Sequence, residues 1–438
     1  MTVCDELYRP QYHFTARENW LNDPNGLVFY RGEYHLFFQH NPSGIDWGNM
    51  TWGHAVSTDL LHWEQLDNAL EPDELGTIFS GSAVVDWDNT SGFGTSDAPP
   101  LVALYTSAGE PFTQSLAYST EGRTMHRYEG NPVLGHLEGT NRDPKVLWHE
   151  PTGKWIMALF LDGSRYAIFG SPDLKRWELL SNLEIPGTSE CPDLFPLALD
   201  GNPDDIRWVF WGASGVYLIG DFDGRTFVPQ SEPLPTEWGH NGYAGQTYSD
   251  MPDGRRVQTL WMNGGQYPDM PFNQQMSIPC ELTLRSTAQG PRLYRWPVRE
   301  LESLRISTTS GTDVALCPGT DPLAGIHAEL LDVELEIELG ECESMELTLR
   351  GTTVRYDSER HMLSCLEKEA PLALPDGNIR VRCLLDRSSL EIFANDGLVV
   401  MDFCILPPED DKRVSLMASG GEARIVALAA HQLRSVWR

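Results

Sequence analysis

Basic residues are in short supply: 32 lysines and arginines stand against 63 acids, for a formal net charge of −31. Nucleic acids and anionic membranes are bound through basic surface, so both are excluded as partners. A neutral ligand is not, and the plainest use of the surplus is solubility. Long apolar runs are missing as well; none approaches the ~18 residues that a membrane-spanning helix needs. The eight cysteines are scattered singly, with no Cys-x-x-Cys pair and no Cys/His group at zinc spacing. Buried free thiols are therefore expected in place of a disulfide framework or a metal site, and neither a metal nor a cofactor is called for. Cys191 reads as a small wall-filling residue beside Glu190. The stretch Met1-Thr2-Val3-Cys4-Asp5-Glu6 lacks the basic and apolar regions of a signal peptide. A cytoplasmic location is expected, or a secreted one if a leader has been removed.

What is present in quantity is strand signal. A hydrophobic content of 41% with 22% charged residues describes a globular chain, and 438 residues suit two domains. Short β-branched and aromatic runs alternate with turn residues, and helical periodicity is rare. The runs repeat. Ser57-Thr58-Asp59-Leu60-Leu61-His62-Trp63 is echoed by Ser171-Pro172-Asp173-Leu174-Lys175-Arg176-Trp177, with looser copies near Ser119 to Tyr128 and Gly220 to Phe227. A second strand type occurs five times, at Tyr34 to Gln39, Leu101 to Ser107, Lys154 to Phe160, Arg207 to Gly212 and Val257 to Met262. Ahead of each lies a first strand, beginning near Gly26, Gly81, Pro144, Asp193 and Ala244. Radial repetition of four-stranded units is a β-propeller, so the expected fold is all-β: a five-bladed propeller within residues 1–300. From about Gly325 the texture becomes period-two alternation, as in Leu331 to Leu339, Ile379 to Leu385 and Ser389 to Ala394, with an Asn395-Asp396-Gly397 turn. Residues 301–438 are expected to form a β-sandwich. No convergent set of acids is legible there, and its default role is structural or ligand-holding.

Three acids stand at the mouths of first strands, each followed within two residues by proline: Asp23 in Trp20-Leu21-Asn22-Asp23-Pro24-Asn25-Gly26, Asp143 in Arg142-Asp143-Pro144, and Glu190 in Glu190-Cys191-Pro192. They belong to blades one, three and four. The first strand of a blade lines the central axis, so equivalent positions meet at one end of the channel. The matching positions in blades two and five are Phe79-Ser80 and Tyr243. Converging carboxylates serve either a metal or sugar chemistry. One acid per turn, then proline, is unlike a metal loop, whereas glycoside cleavage needs one ionised carboxylate and one protonated acid. Like charges held close raise one pKa toward that need. Arg142 is expected to favour the ionised form of Asp143. Trp20, Trp47, Trp52 and Trp261 can each offer a flat face to a sugar ring or simply pack in the core. Gln39 places an amide near the same rim; neighbouring His40 is given no catalytic role.

These motifs, with Phe79-Ser80-Gly81-Ser82 and Asp386-Arg387-Ser388-Ser389-Leu390-Glu391-Ile392-Phe393, resemble the signatures of glycoside hydrolase family 32 over nearly the whole chain. That family holds the invertases, inulinases and levanases, and its fold is a five-bladed propeller with a β-sandwich. The resemblance implies that Asp23 is the nucleophile at C2 of a fructosyl unit and that Glu190 is the acid and then the base. It implies that Asp143 holds fructose hydroxyls, and that Asn22, Gln39, Trp47, Phe79, Ser80 and Arg142 line the fructose pocket. Tyr243-Ala244-Gly245-Gln246 matches in part, since the family commonly has proline where Gly245 stands. The run Met270 to Pro279 is similar to fructan-trimming members. The implied activity is retaining exo-hydrolysis of fructose from levan- or inulin-type fructans, with sucrose also accepted. The rivals are a sucrose-preferring invertase, an inverting five-bladed arabinan or xylan hydrolase, and a non-catalytic sugar-binding propeller. Carboxyl separation tells inversion (about 6.5–9.5 Å) from retention (about 5–5.5 Å); a mere binder would be expected to have lost an acid.

Overall fold

The computed structural model describes residues 4–374 and 376–437. Met1–Val3, at the head of the stretch read for a leader, lie outside the described residues. Strands dominate; among the described residues the helical segments are three short 3-10 turns, at 150–152, 299–304 and 395–397.

Five antiparallel sheets follow one another along the first two thirds of the chain. Their innermost strands are Asn19–Tyr30, Thr77–Val85, Arg142–His149, Asp193–Ala198 and Gly242–Thr247. Each is followed by its sheet neighbour, Glu33–Asn41, Leu101–Ala108, Lys154–Asp162, Ile206–Trp211 and Val257–Met262, as the repeats predict. The innermost strands touch in a closed ring, first to second and so on, with the fifth returning to the first. Blade five is also sewn to blade one. Phe272–Asn273 runs parallel to Asn19–Trp20, and Ser249 exchanges backbone hydrogen bonds with Leu27 and Phe29.

The repeated Ser-x-Asp-Leu segment proves to be one turn built twice. Asp59 Oδ1 accepts the N–H groups of Leu61 and His62 at 3.0 and 2.8 Å. Asp173 Oδ1 does the same for Lys175 and Arg176 at 3.1 and 3.0 Å. The intervening Leu60 and Leu174 are left-handed, with φ of 68° and 63°. Trp63 and Trp177 close each turn by donating to that leucine's carbonyl at 3.0 and 2.9 Å. The carboxylate satisfies backbone donors that the turn frees, which is why aspartate recurs there. Apolar residues fill the gaps between blades, for instance Phe37, Trp52, Ala83 and Tyr105 between blades one and two, each gap burying its own cluster.

The remaining residues form two packed sheets. One runs Arg305–Leu316, Ala423–Leu433, Leu331–Glu338, Asn378–Leu385, Ser389–Ala394, Val399–Cys404 in spatial order; the other holds Ser344–Leu349, its hairpin neighbours and Val414–Ser419. Alternate residues Leu331, Val333, Leu335 and Ile337 enter the core between them, which is the period-two pattern of the sequence.

Acids do converge in this second unit, contrary to the sequence reading, but at its junction with the propeller. Asp386 accepts the N–H groups of Gln11 and Tyr12 at 2.7 and 3.0 Å. His13 is bonded by Asp386 Oδ2 at 2.8 Å on Nδ1 and by Glu391 Oε2 at 2.6 Å on Nε2, all three side chains fully buried. An imidazole with a carboxylate on each nitrogen is a double donor, hence charged. Burial alone would depress its pKa, but Glu391 and Asp386 outweigh burial and hold it at about 10. A second buried cluster sets Arg295 against Glu237 at 2.9 Å and Asp402 at 3.4 Å.

Because His13 binds its proton more tightly in the fold (about 10) than in the unfolded chain (6.5), its contribution is complete below pH 6.5 and fades as pH rises through 10. His13→Gln should therefore cost about 3 kcal/mol at neutral pH, with a smaller gap from the parent near pH 10. Urea titrations across that range check it; a gap independent of pH would show that His13 is not a charged clamp.

Candidate active site

The sequence places all three acids just ahead of their strands; the structure does so only for Glu190. Asp23 and Asp143 lie inside the innermost strands Asn19–Tyr30 and Arg142–His149. The pairing continues past Pro24 and Pro144 because each strand is bulged at the acid. Register slips occur between Leu21 and Pro24, between Arg142 and Lys145 in blade three, between Phe79 and Gly81, and between Tyr243 and Gln246. A bulge leaves one residue unpaired and re-aims its side chain. Left-handed backbone marks the same places: φ is 63° at Asp143, 57° at Glu190, 35° at Cys191 and 52° at Ala244. Such residues cost on the order of 1–3 kcal/mol each and persist where neighbours over-determine them. Here Asp143 N–H donates to Thr106 Oγ1 at 3.0 Å, and Cys191 N–H to Asp143 Oδ2 at 3.0 Å. Gly81 is fixed by crowding: a Cβ there would fall 2.0 Å from the Leu104 carbonyl oxygen.

The result is one cavity of about 340 Å³ that gathers every residue expected at the site. Blade one supplies Asn22, Asp23, Gln39 and the nearby Trp47; blade two supplies Phe79 and Ser80; blade three supplies Arg142 and Asp143. Glu190, Tyr243 and Trp261 complete the ring. Gln39 brings a buried Nε2 that has no partner among the described residues. Trp47, 58% exposed, forms an outer wall. Of the other tryptophans only Trp261 faces the cavity. Trp20 and Trp52 are core residues, because their indole N–H groups turn inward to Asn22 Oδ1 (2.8 Å) and the Phe79 carbonyl (3.0 Å). His40 is likewise buried, bonded to the Trp20 carbonyl at 2.7 Å.

Asp23 accepts a 2.5 Å bond from the Ser80 hydroxyl and one of 3.2 Å from the Asn22 amide. Withdrawal from water raises its pKa, while these two donors pull it back. Asp143 is only 2% exposed. Burial lifts it to about 7, with Arg142 opposing and Asp23 adding to the rise. Arg142, its Nε 3.7 Å away, does favour the ionised form of Asp143 as expected, but desolvation outweighs it. The same guanidinium bonds Glu190 directly through Nη2. It is braced by the Thr140 carbonyl at 2.8 Å and by the Phe160 ring, 4.6 Å away. Tyr243 hydroxyl donates to Glu190 Oε2 at 2.5 Å.

Three cavity residues escaped the sequence reading as ligand-facing groups: Phe112, Thr140 and Cys191. The Phe112 ring stands 5.5 Å from Phe79, which is 6.0 Å from Trp47, so the three make one aromatic wall. Cys191 is more than filler. Its Sγ lies 3.6 Å from Asp23 Oδ2 and 3.5 Å from Asp143 Oδ2, and burial pushes the thiol well above its usual range. It is a neutral donor shared by two carboxylates. Its place beside Glu190 was the one signal available. A carboxylate held by hydroxyl and amide donors, facing a second carboxyl braced by cation and phenol, can supply a nucleophile and a proton donor to one substrate. Metal-type ligands meet elsewhere: Asp332, Glu334 and His431 come within 4.8 Å of one another. Arg305 and Arg382 already pair with those two acids.

A carboxyl at about 7 in the fold and 3.8 unfolded stabilises the protein fully below pH 3.8 and loses that contribution as pH rises through 7. Asp143→Asn keeps the acceptor for Cys191 and abolishes the charge. The variant should melt several degrees above the parent near pH 8, with the gap closing toward pH 4. Melting curves that stay superimposed at pH 8 would refute the buried charge as a source of strain.

Residues 13–297 match the Glycosyl hydrolases family 32 N-terminal domain and residues 300–432 the Glycosyl hydrolases family 32 C-terminal domain. The chain is 41% identical to a levanase of Bacillus subtilis over 99% of its own length and 71% of that protein's. It is 36% identical to a levanase of Bacillus sp. strain L7, of which it spans 53%. Its fold is similar to the crystal structure of exo-inulinase from Aspergillus awamori, with a TM-score of 0.90 at 31% identity, covering 99% of this chain and 100% of that one. With both halves matched and the acids assembled in one cavity, the chain belongs to glycosyl hydrolases family 32.

Proposed function

We propose that the protein is a retaining, exo-acting β-fructofuranosidase that releases terminal fructose from levan- or inulin-type fructans and also accepts sucrose. The observation that carries this reading is the meeting of Asp23, Asp143 and Glu190, from three blades, in a cavity of about 340 Å³. That size is near the lower end for ligand pockets and suits one terminal sugar. The levanase and exo-inulinase relatives support fructan over sucrose as the main substrate. The family match speaks against an inverting arabinan or xylan hydrolase, and the presence of all three acids against a mere binder.

In the first half-reaction Asp23 attacks C2 of the terminal fructosyl unit, and the C2–O bond to the leaving group breaks. Glu190 delivers its proton to the departing oxygen. In the second, Glu190 takes a proton from water, whose oxygen attacks C2 and expels Asp23. Ser80 and Asn22 stabilise the ionised nucleophile by donating to it. Tyr243 and Arg142 fix Glu190 in place. Asp143 stands ready to accept hydroxyl protons of the sugar, bonds that strengthen as the ring flattens.

Chromatography of products from sucrose, inulin and levan tests the reading. Free fructose should appear from the first minutes with no intermediate oligosaccharides, and NMR should show the β-anomer first; no fructose from any of the three would refute it. Asp23→Ala and Glu190→Ala should each lower kcat by about a thousandfold or more while melting as cooperatively as the parent. Near-parental turnover by Asp23→Ala would remove it as nucleophile.

A further inference from the structure

The ring has a second chamber. Where the innermost strands of blades two to five end, a cavity of about 460 Å³ opens at the face opposite the three acids, and it shares no residue with theirs. Between the two, Lys145 Nζ bridges Asp193 (3.2 Å) and the Thr247 carbonyl (2.7 Å), tying blades three, four and five across the axis.

Its walls are aromatic, and their edges are already committed. Trp87 is 61% exposed, yet its indole N–H is held by Asp250 Oδ1 at 2.8 Å. Asp250 is anchored in turn by the Val85 N–H at 3.1 Å. Trp148 donates to Glu150 Oε2 at 2.6 Å. Bonds at the ring edge fix each indole's orientation; Trp148 also packs against Trp155, 5.0 Å away, and Trp87 presents the free face. Arg256 lines the same cavity. Its guanidinium lies 5.5 Å from the Phe195 ring centroid and feels the charges of Asp193 and Asp250, but its one hydrogen bond among the described residues is a 3.3 Å contact to the Tyr248 carbonyl, so donors remain for a ligand. Oriented aromatic faces, an arginine fork and carboxylate acceptors suit a polyhydroxylated ring, which stacks its C–H face and exchanges hydrogen bonds at its edge. An anion is disfavoured by Asp250 and Glu150 at the wall.

We propose that this cavity is a second saccharide-binding site, which holds fructan chains away from the catalytic pocket. The identity of the sugar rests on the fructan-hydrolase reading; the existence of the site does not. The innermost strands of blades two to five have six to nine residues, roughly 20–30 Å, so sucrose cannot reach both ends. A polymer held at one end presents its termini to the other at a raised effective concentration, so the site acts on polymer hydrolysis alone.

The test is Trp87→Ala, with Trp87→Phe as the variant that keeps a stacking face. Retardation in native gels cast with levan or inulin, run with excess free fructose to fill the catalytic pocket, reads binding at the second site directly. The parent and Trp87→Phe should be retarded and Trp87→Ala should run free. KM for levan should rise about tenfold in Trp87→Ala, with kcat and KM for sucrose unchanged. Equal retardation of parent and Trp87→Ala overturns the proposal, as does loss of the parent's retardation in fructose or an equal loss of activity on sucrose. If the parent cleaved no fructoside at all, the assigned activity would fail, and gel retardation would still decide whether this cavity binds sugar.

Discussion

Asp23, Asp143 and Glu190 crowd a small cavity with one cation, Arg142, which bonds Glu190 directly and stands 3.7 Å from Asp143. The two aspartates share the neutral Cys191 thiol and otherwise draw mainly on uncharged donors. Such an arrangement is electrostatically uphill: burial lifts both aspartates, Asp143 as far as about 7. Nothing local in a flexible chain would hold it together. A closed ring of innermost strands does, because each acid is fixed on a different blade and no blade can retreat without opening the gaps packed by its neighbours. The scaffold's cohesion is thus what permits the repulsion at its centre, and that repulsion is what chemistry on a glycosidic bond can use.

The sandwich belongs to the same balance. Its hairpin at 386–391 reaches back to hold the backbone of Gln11 and Tyr12 and the imidazole of His13. That segment runs directly into the strand that carries Asp23. Fixing it limits the freedom of the first blade, so the junction's buried charges act on the site through the backbone rather than through any contact with ligand.

The repeats were legible because the turn between third and fourth strands uses a carboxylate for freed N–H groups, and in blades one and three adds a left-handed leucine and a closing tryptophan, at Asp59 to Trp63 and Asp173 to Trp177. The acids were legible because a proline follows each within two residues. What was not legible depends on three-dimensional packing. The bulges that put Asp23 and Asp143 within strands arise from pairing with Glu33–Asn41 and Lys154–Asp162. Phe112 and Thr140 carry no local mark and reach the cavity through loop paths. The sequence showed a cation next to Asp143 but not the loss of water around it, and the second of these prevailed. Similarly, Asp386 and Glu391 read as hairpin residues until the propeller's N-terminal segment is laid between them.

Asp143 also bears on how the empty and filled sites differ. With a pKa near neutrality it carries a proton for part of the time in the empty cavity. Sugar hydroxyls that donate to it would favour the ionised form, as Cys191 N–H already does. Binding would then release that proton, and the hydroxyl donors would compensate the desolvation that raised the pKa, so part of the strain stored in the free protein returns as affinity for the reacting unit. A carboxylate stabilised in advance by the protein would have no such reserve. On this view the balance at Asp143 is functional: Arg142 offsets burial only in part, which leaves a share of the compensation to the substrate.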